Sequence, residues 1–96
     1  MFLTGKELNK ARSDIRKALK QGLVLAKRTY YDYYDSCHPP VETPDAPFQS
    51  AKEILGQDCE RHFKQGYASF SLSLIESNTY KCFNGYSTYI IKIIIK

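Results

Sequence analysis

Apolar and polar positions alternate along this chain in two distinct rhythms, a helical one in the first third and a strand-like one in the last third. From Gly5 to Ser36 no proline intervenes. Over that stretch Leu8, Ala11, Ile15, Leu19, Gly22, Leu23, Ala26, Tyr30 and Tyr33 fall in one stripe about 120° wide on a helical wheel. Thr4 is placed to cap the helix, and Glu7 three residues later completes a capping box. The stop is Cys37-His38-Pro39-Pro40, because a residue before proline is pushed out of the helical region. The pattern therefore predicts a first helix running to residue 36, roughly 45 Å long. Such a helix projects, pairs with a second copy, or breaks at Gln21-Gly22; a continuous or mildly bent helix is the expectation.

Residues 37–47 hold all four prolines, Pro39, Pro40, Pro44 and Pro47, and read as a stiff extended connector. A second helix is expected over residues 48–65. Ser50 and Glu53 stand at capping-box spacing, Gly66 is the stop, and Phe48, Ala51, Leu55, Cys59 and His62 form the buried stripe.

Beyond Gly66 the period changes to two. Ala68, Phe70, Leu72 and Leu74 alternate with Ser69, Ser71, Ser73 and Ile75, the pattern of a strand with one buried face. Ser77-Asn78 reads as a turn, and Asn84-Gly85 is the preferred pair for a two-residue hairpin loop. The chain then runs through Tyr86 to Lys96. There Tyr89, Ile91, Ile93 and Ile95 point to the core, while Thr88, Ile90, Lys92, Ile94 and Lys96 point away. The Ile90–Lys96 segment has the composition of an exposed, aggregation-prone edge guarded by Lys92 and Lys96. The predicted fold class is α+β: two N-terminal helices, the first long, packed on a C-terminal three-stranded antiparallel meander, in one domain over residues 1–96.

Size and composition narrow this further. A chain of 96 residues supports one hydrophobic core and excludes a multidomain enzyme. No apolar stretch reaches the roughly 20 residues needed to span a bilayer, and the opening Met1-Phe2-Leu3-Thr4 lacks signal-peptide character. A cytoplasmic protein without a membrane partner is the expectation. Three cysteines, Cys37, Cys59 and Cys82, are an odd number at irregular spacing, which fits free thiols in a reducing compartment.

Charge is more informative than size. The net charge of +4 divides into +6 over residues 1–28 and −2 over the remainder, so the positive field belongs to one end of the chain. On a continuous helix Lys6, Lys10, Arg16, Lys17, Lys20, Lys27 and Arg28 line one ridge opposite the apolar stripe. A ridge of this kind neutralises phosphates without reading sequence. Lys10, Arg16, Lys17, Lys20, Lys27 and Arg28 are the candidate binding residues for nucleic acid or a nucleoprotein complex; the plain alternative is a solvated helix face. Val24 and Tyr31 fall in the same sector. The run Tyr30-Tyr31-Asp32-Tyr33-Tyr34-Asp35 is rich in a residue suited to interfaces, which makes Val24, Tyr31 and Tyr34 the candidate protein interface.

Cys37, His38, Cys59 and His62 are the one conceivable zinc set, but the spacing lacks a Cys-x-x-Cys knuckle, so neither metal nor cofactor is expected. Catalysis would have to draw on His38, His62, Arg61, Glu60 and the tyrosines, and no recognised catalytic motif joins them. The expectation is a non-catalytic binding module whose basic helix face meets an acidic partner. A protein-directed inhibitor or adaptor of the phage or mobile-element type, acting on a host protein, is the alternative. A small ribonuclease-type toxin is third, and a homodimer through the first helix follows if that helix projects.

Overall fold

The computed structural model describes residues 2–33, 37–64 and 70–95. Helix α1 spans Gly5–Lys20 and buries Ala11, Ile15 and Leu19 of the anticipated stripe together with Ala18, which lies outside it, while Leu8 is half-buried. Thr4 occupies the N-cap position with extended backbone, yet its side chain makes no capping bond. The Leu8 amide instead reaches the Thr4 carbonyl at 3.4 Å.

The helix ends after 16 residues, about 24 Å, rather than running on to residue 36. Gly22 adopts φ +72°, a left-handed conformation that costs glycine nothing. With it the Gly22 amide bonds the Leu19 carbonyl at 3.1 Å and the Leu23 amide bonds the Ala18 carbonyl at 2.9 Å, the paired hydrogen bonds of a Schellman stop. The chain reverses there and enters strand β1, Val24–Tyr31. Ser36, the expected end of the helix, lies outside the described residues.

The connector is extended, but it is also paired. Its short strand β2 (Val41–Glu42) and, where the second helix is expected to begin, β3 (Gln49–Ser50) both run antiparallel to β1, at opposite ends of it. The expected second helix is a single short one, α2 (Ala51–Leu55), followed by a 3-10 helix at Cys59–Phe63. Gly56 at φ +92° divides them. Of the predicted stripe, Ala51 and Cys59 are buried, Leu55 and His62 half-buried, and Phe48 exposed. Gln65 and Gly66 lie outside the described residues.

The meander is present as β4 (Ser71–Glu76), β5 (Thr79–Phe83) and β6 (Ser87–Ile93). Ala68, Ser69 and Lys96 fall outside the described residues. The first hairpin turns at Ser77-Asn78, with Asn78 at φ 62°. In the second, the Asn84 amide donates to the Ser87 carbonyl, so the reversal centres on Gly85-Tyr86, one residue later than expected. The Asn84 side-chain oxygen accepts from the Tyr86 and Ser87 amides at 3.0 and 2.8 Å, which holds that loop.

The sheet is larger than a three-stranded meander: it has six strands, in the order β2-β1-β6-β5-β4 with β3 also on β1. β6 is therefore central, not an edge. Its isoleucines are flanked by β1 on one side and β5 on the other, which satisfies both rows of backbone hydrogen-bonding groups. Phe63, Phe70, Ile15, Leu72, Ile91, Cys59 and Cys82 are the most buried large side chains, in one core between the helices and a single face of the sheet. Leu74, expected in that core, is 51% exposed, and Ile95 lies exposed past the end of β6.

Candidate nucleic-acid interface

The predicted basic ridge does not survive the end of α1. Lys10, Lys17 and Lys20 are exposed on the helix, and Lys10 donates to Asp14 Oδ2 at 2.8 Å, which pushes the Lys10 ammonium up from its ordinary pKa. Arg16 is half-buried, and its Nη1 donates to the Phe63 carbonyl at 2.8 Å, tying α1 to the 3-10 helix. Lys27 and Arg28 belong to β1. Consecutive residues of a strand point to opposite faces, so the two cations part company.

Lys27 points to the sheet face away from α1, where its Nζ donates to the Pro44 carbonyl at 3.0 Å and sits 5.1 Å from the centre of the Phe48 ring. Arg28 points to the helix side. Its guanidinium lies 4.9 Å from the Tyr31 ring and 5.4 Å from the Tyr89 ring, and donates to the Tyr89 hydroxyl at 3.0 Å. It is a structural clamp between two aromatic rings.

The predicted protein interface is revised as well. Val24 is 3% exposed and belongs to the core. Tyr31 is half-buried, packed edge-on against Tyr33 with ring centres 5.3 Å apart. Tyr34 lies outside the described residues.

Arg12 is the residue that sequence reasoning passes over. It sits one turn before Arg16 on the flank of α1, and with Asn9, Arg16 and Lys64 it lines a cleft of about 380 Å³ against the end of the 3-10 helix. Its Nε is buried with no hydrogen-bond partner among the described residues. The signal available in the sequence is the Arg12-Arg16 spacing of four, which stacks two guanidinium groups on one helix edge. α1 thus carries six basic side chains (Lys6, Lys10, Arg12, Arg16, Lys17 and Lys20) against Glu7 and Asp14. Lys6, Lys10, Lys17 and Lys20 are exposed, opposite the buried Ala11, Ile15 and Ala18.

The histidines and cysteines do not converge. Cys37 and His38 are exposed, with the His38 ring 4.7 Å from Tyr33. Cys59 and Cys82 are buried thiols, both pushed up from the ordinary thiol pKa by burial. His62 stacks on Phe70 at 4.7 Å, and burial lowers its pKa, against a hydrogen bond to the Leu55 backbone that raises it. Among the described residues no group of three or more His, Cys, Asp or Glu side chains could hold a metal ion. Arg61 is exposed and Glu60 half-buried on the 3-10 helix. Among the described residues no helix is long and apolar enough to cross a membrane.

No protein-family model matches the chain, and neither a curated protein nor a solved structure matches it.

Proposed function

We propose that this protein is a small non-catalytic binding module that docks an acidic polymer, nucleic acid or a nucleoprotein complex, on the basic outer side of α1. The observation that carries this reading is the distribution of charge on that helix. Four lysines stand away from the core, and on the adjoining edge Arg12 and Arg16 line a cleft in which the buried Arg12 Nε lacks a partner among the described residues. A buried N–H without an acceptor is costly. Phosphate groups entering the cleft meet the guanidinium groups of Arg12 and Arg16 that line it, while the exposed lysines release counterions along the backbone. Lys27 and Arg28 are not part of this surface.

The reading is tested by fluorescence anisotropy with labelled duplex and single-stranded oligonucleotides across a salt series. The wild-type protein binds with an affinity that falls steeply with salt. Combined reversal of Lys6, Lys17 and Lys20 to Glu lowers affinity by more than tenfold, and the log-log salt slope on duplex falls by about 0.9 for each phosphate that a lysine no longer neutralises. All three side chains are exposed, so the thermal midpoint stays close to that of wild type. Binding that is absent at low salt, or indifferent to the reversal, removes α1 as the docking surface.

A further inference from the structure

The face of the sheet turned away from α1 carries no helix among the described residues. Its side chains follow from the strand register, and the central row reads Phe2, Ser73, Lys81, Ile90, Lys27 across five neighbouring segments. One row along, Phe83 pairs with Thr88 and Thr88 with Tyr30; on the other side, Thr79 pairs with Lys92 and Lys92 with Leu25. This is an unusual mixture for a face left to water. Phe2 is 60% exposed and Phe83 37% exposed, and between them Ser73, Lys81 and Thr88 complete a groove of about 260 Å³. At the far edge Phe48, 38% exposed, lies beneath Lys27.

We propose that this open face binds a single strand of nucleic acid, stacking bases on Phe83 and Phe2 and meeting phosphates with Lys81 and Lys92. This goes beyond the nucleic-acid reading of α1: it uses a different surface and names the strand class. Three arguments select the occupant. Exposed aromatic rings interleaved with lysines match a chain that alternates flat bases with phosphates. An apolar protein surface does not match them, because covering Lys81 and Lys92, which form no ion pair among the described residues, would desolvate two ammonium groups without compensation. A duplex does not either, since its bases are already stacked on one another and cannot reach the rings.

Charge also sets the path. Among the described residues, the acids that the strand register puts on this face, Glu76 beside Thr79 and Glu42 beside Tyr30, stand at its margins on the outer rows. The central row, from Phe2 to Lys27, contains no acid. Four strand spacings separate its ends, about 19 Å, which accommodates a short oligonucleotide lying across the strands. The half-buried Ser73 lines the same groove as the two rings, and its hydroxyl is suited to bonding a sugar or phosphate oxygen there.

The test uses the full chain and labelled oligonucleotides of roughly 12 nucleotides, within the usual site size for such platforms, as single strands and as the matching duplex. Combined F2A and F83A substitution lowers single-strand affinity at least tenfold, the effect of losing one stacked base, and leaves duplex affinity unchanged. A second variant, K81E with K92E, lowers single-strand affinity and reduces its salt slope by about 1.4. All four side chains are exposed, and an unchanged thermal midpoint confirms folding in each variant. Single-strand binding unaltered in both variants overturns the proposal. If it is then abolished by reversal of Lys6, Lys17 and Lys20, the α1 reading stands alone; if the sheet variants abolish it and the reversal alters neither single-strand nor duplex binding, the α1 reading fails and the sheet face stands. A wild-type protein that binds neither form overturns both.

Discussion

His62 sits where two demands conflict. Its ring stacks on Phe70 at the rim of the core, and the burial that makes the stack favourable disfavours the imidazolium, so its pKa is lowered. The unfolded chain therefore binds this proton more tightly than the folded one. Its contribution to stability is complete above the ordinary histidine pKa of 6.5 and is lost as pH falls below that value toward the folded pKa. Thermal midpoints followed from about pH 8 to about pH 5 should decline on the acid side. His62→Phe keeps an aromatic ring on Phe70 and should flatten that decline; an unchanged pH profile in the variant assigns the effect to other groups. At the same scale, Lys27 and Arg28 show why charge counting reads poorly residue by residue. Adjacent in sequence, one is held over Phe48 on the open face and the other between Tyr31 and Tyr89 on the core side.

At the scale of elements, one apolar pattern between Gly5 and Tyr31 is divided between a helix and a strand, and the bulge in β1 takes the strand out of helical register. Register shifts between Arg28 and Tyr30, so the core-side positions are Val24, Ala26, Arg28 and then Tyr31. Of the predicted helical stripe only Ala26 stays on the core side in β1: Leu23 precedes the strand, and Tyr30 pairs with Thr88 on the open face. The decisive local signal is Gly22. Replacing it with Ala should destabilise the protein by about 1 kcal/mol, because φ +72° is strained for any residue with a Cβ. The added Cβ meets nothing within 4 Å, so the cost is conformational rather than steric crowding with neighbours. Urea unfolding should show a lower midpoint at unchanged slope; a stability equal to wild type would mean that the turn relaxes into another conformation. Gly56 divides the second predicted helix in the same way. Thr4 and Ser50 are legible in the sequence as helix starts and stand at those positions, although neither side chain makes a capping bond.

At the scale of the whole molecule, β1 changes the standing of everything after it. By pairing with β6 it turns the isoleucine-rich C-terminal strand from an edge into the middle of the sheet, with Ile91 fully buried and Ile90 on the open face. Ile91→Ala should cost about 2–5 kcal/mol. Ile90→Ala should cost on the order of 1 kcal/mol, measured by the same urea unfolding. Equal costs would show that the outer face is covered by protein rather than open to a strand of nucleic acid. The homodimer expected through the first helix loses its premise, since α1 is short and lays its apolar side on its own sheet. Local spacing was enough to determine the buried side of α1, the presence of strands β4 and β6 and the turn at Ser77-Asn78, because each depends on neighbours within one or two turns of backbone. Tertiary structure alone decided that residues 24–31 pair with 87–93, that β6 is central, and that Phe2, Lys81 and Phe83 meet on one surface. Those outcomes come from hydrogen bonding and burial between segments up to some 70 residues apart, where the periodicity of either segment says which side faces inward but not which strand lies beside it.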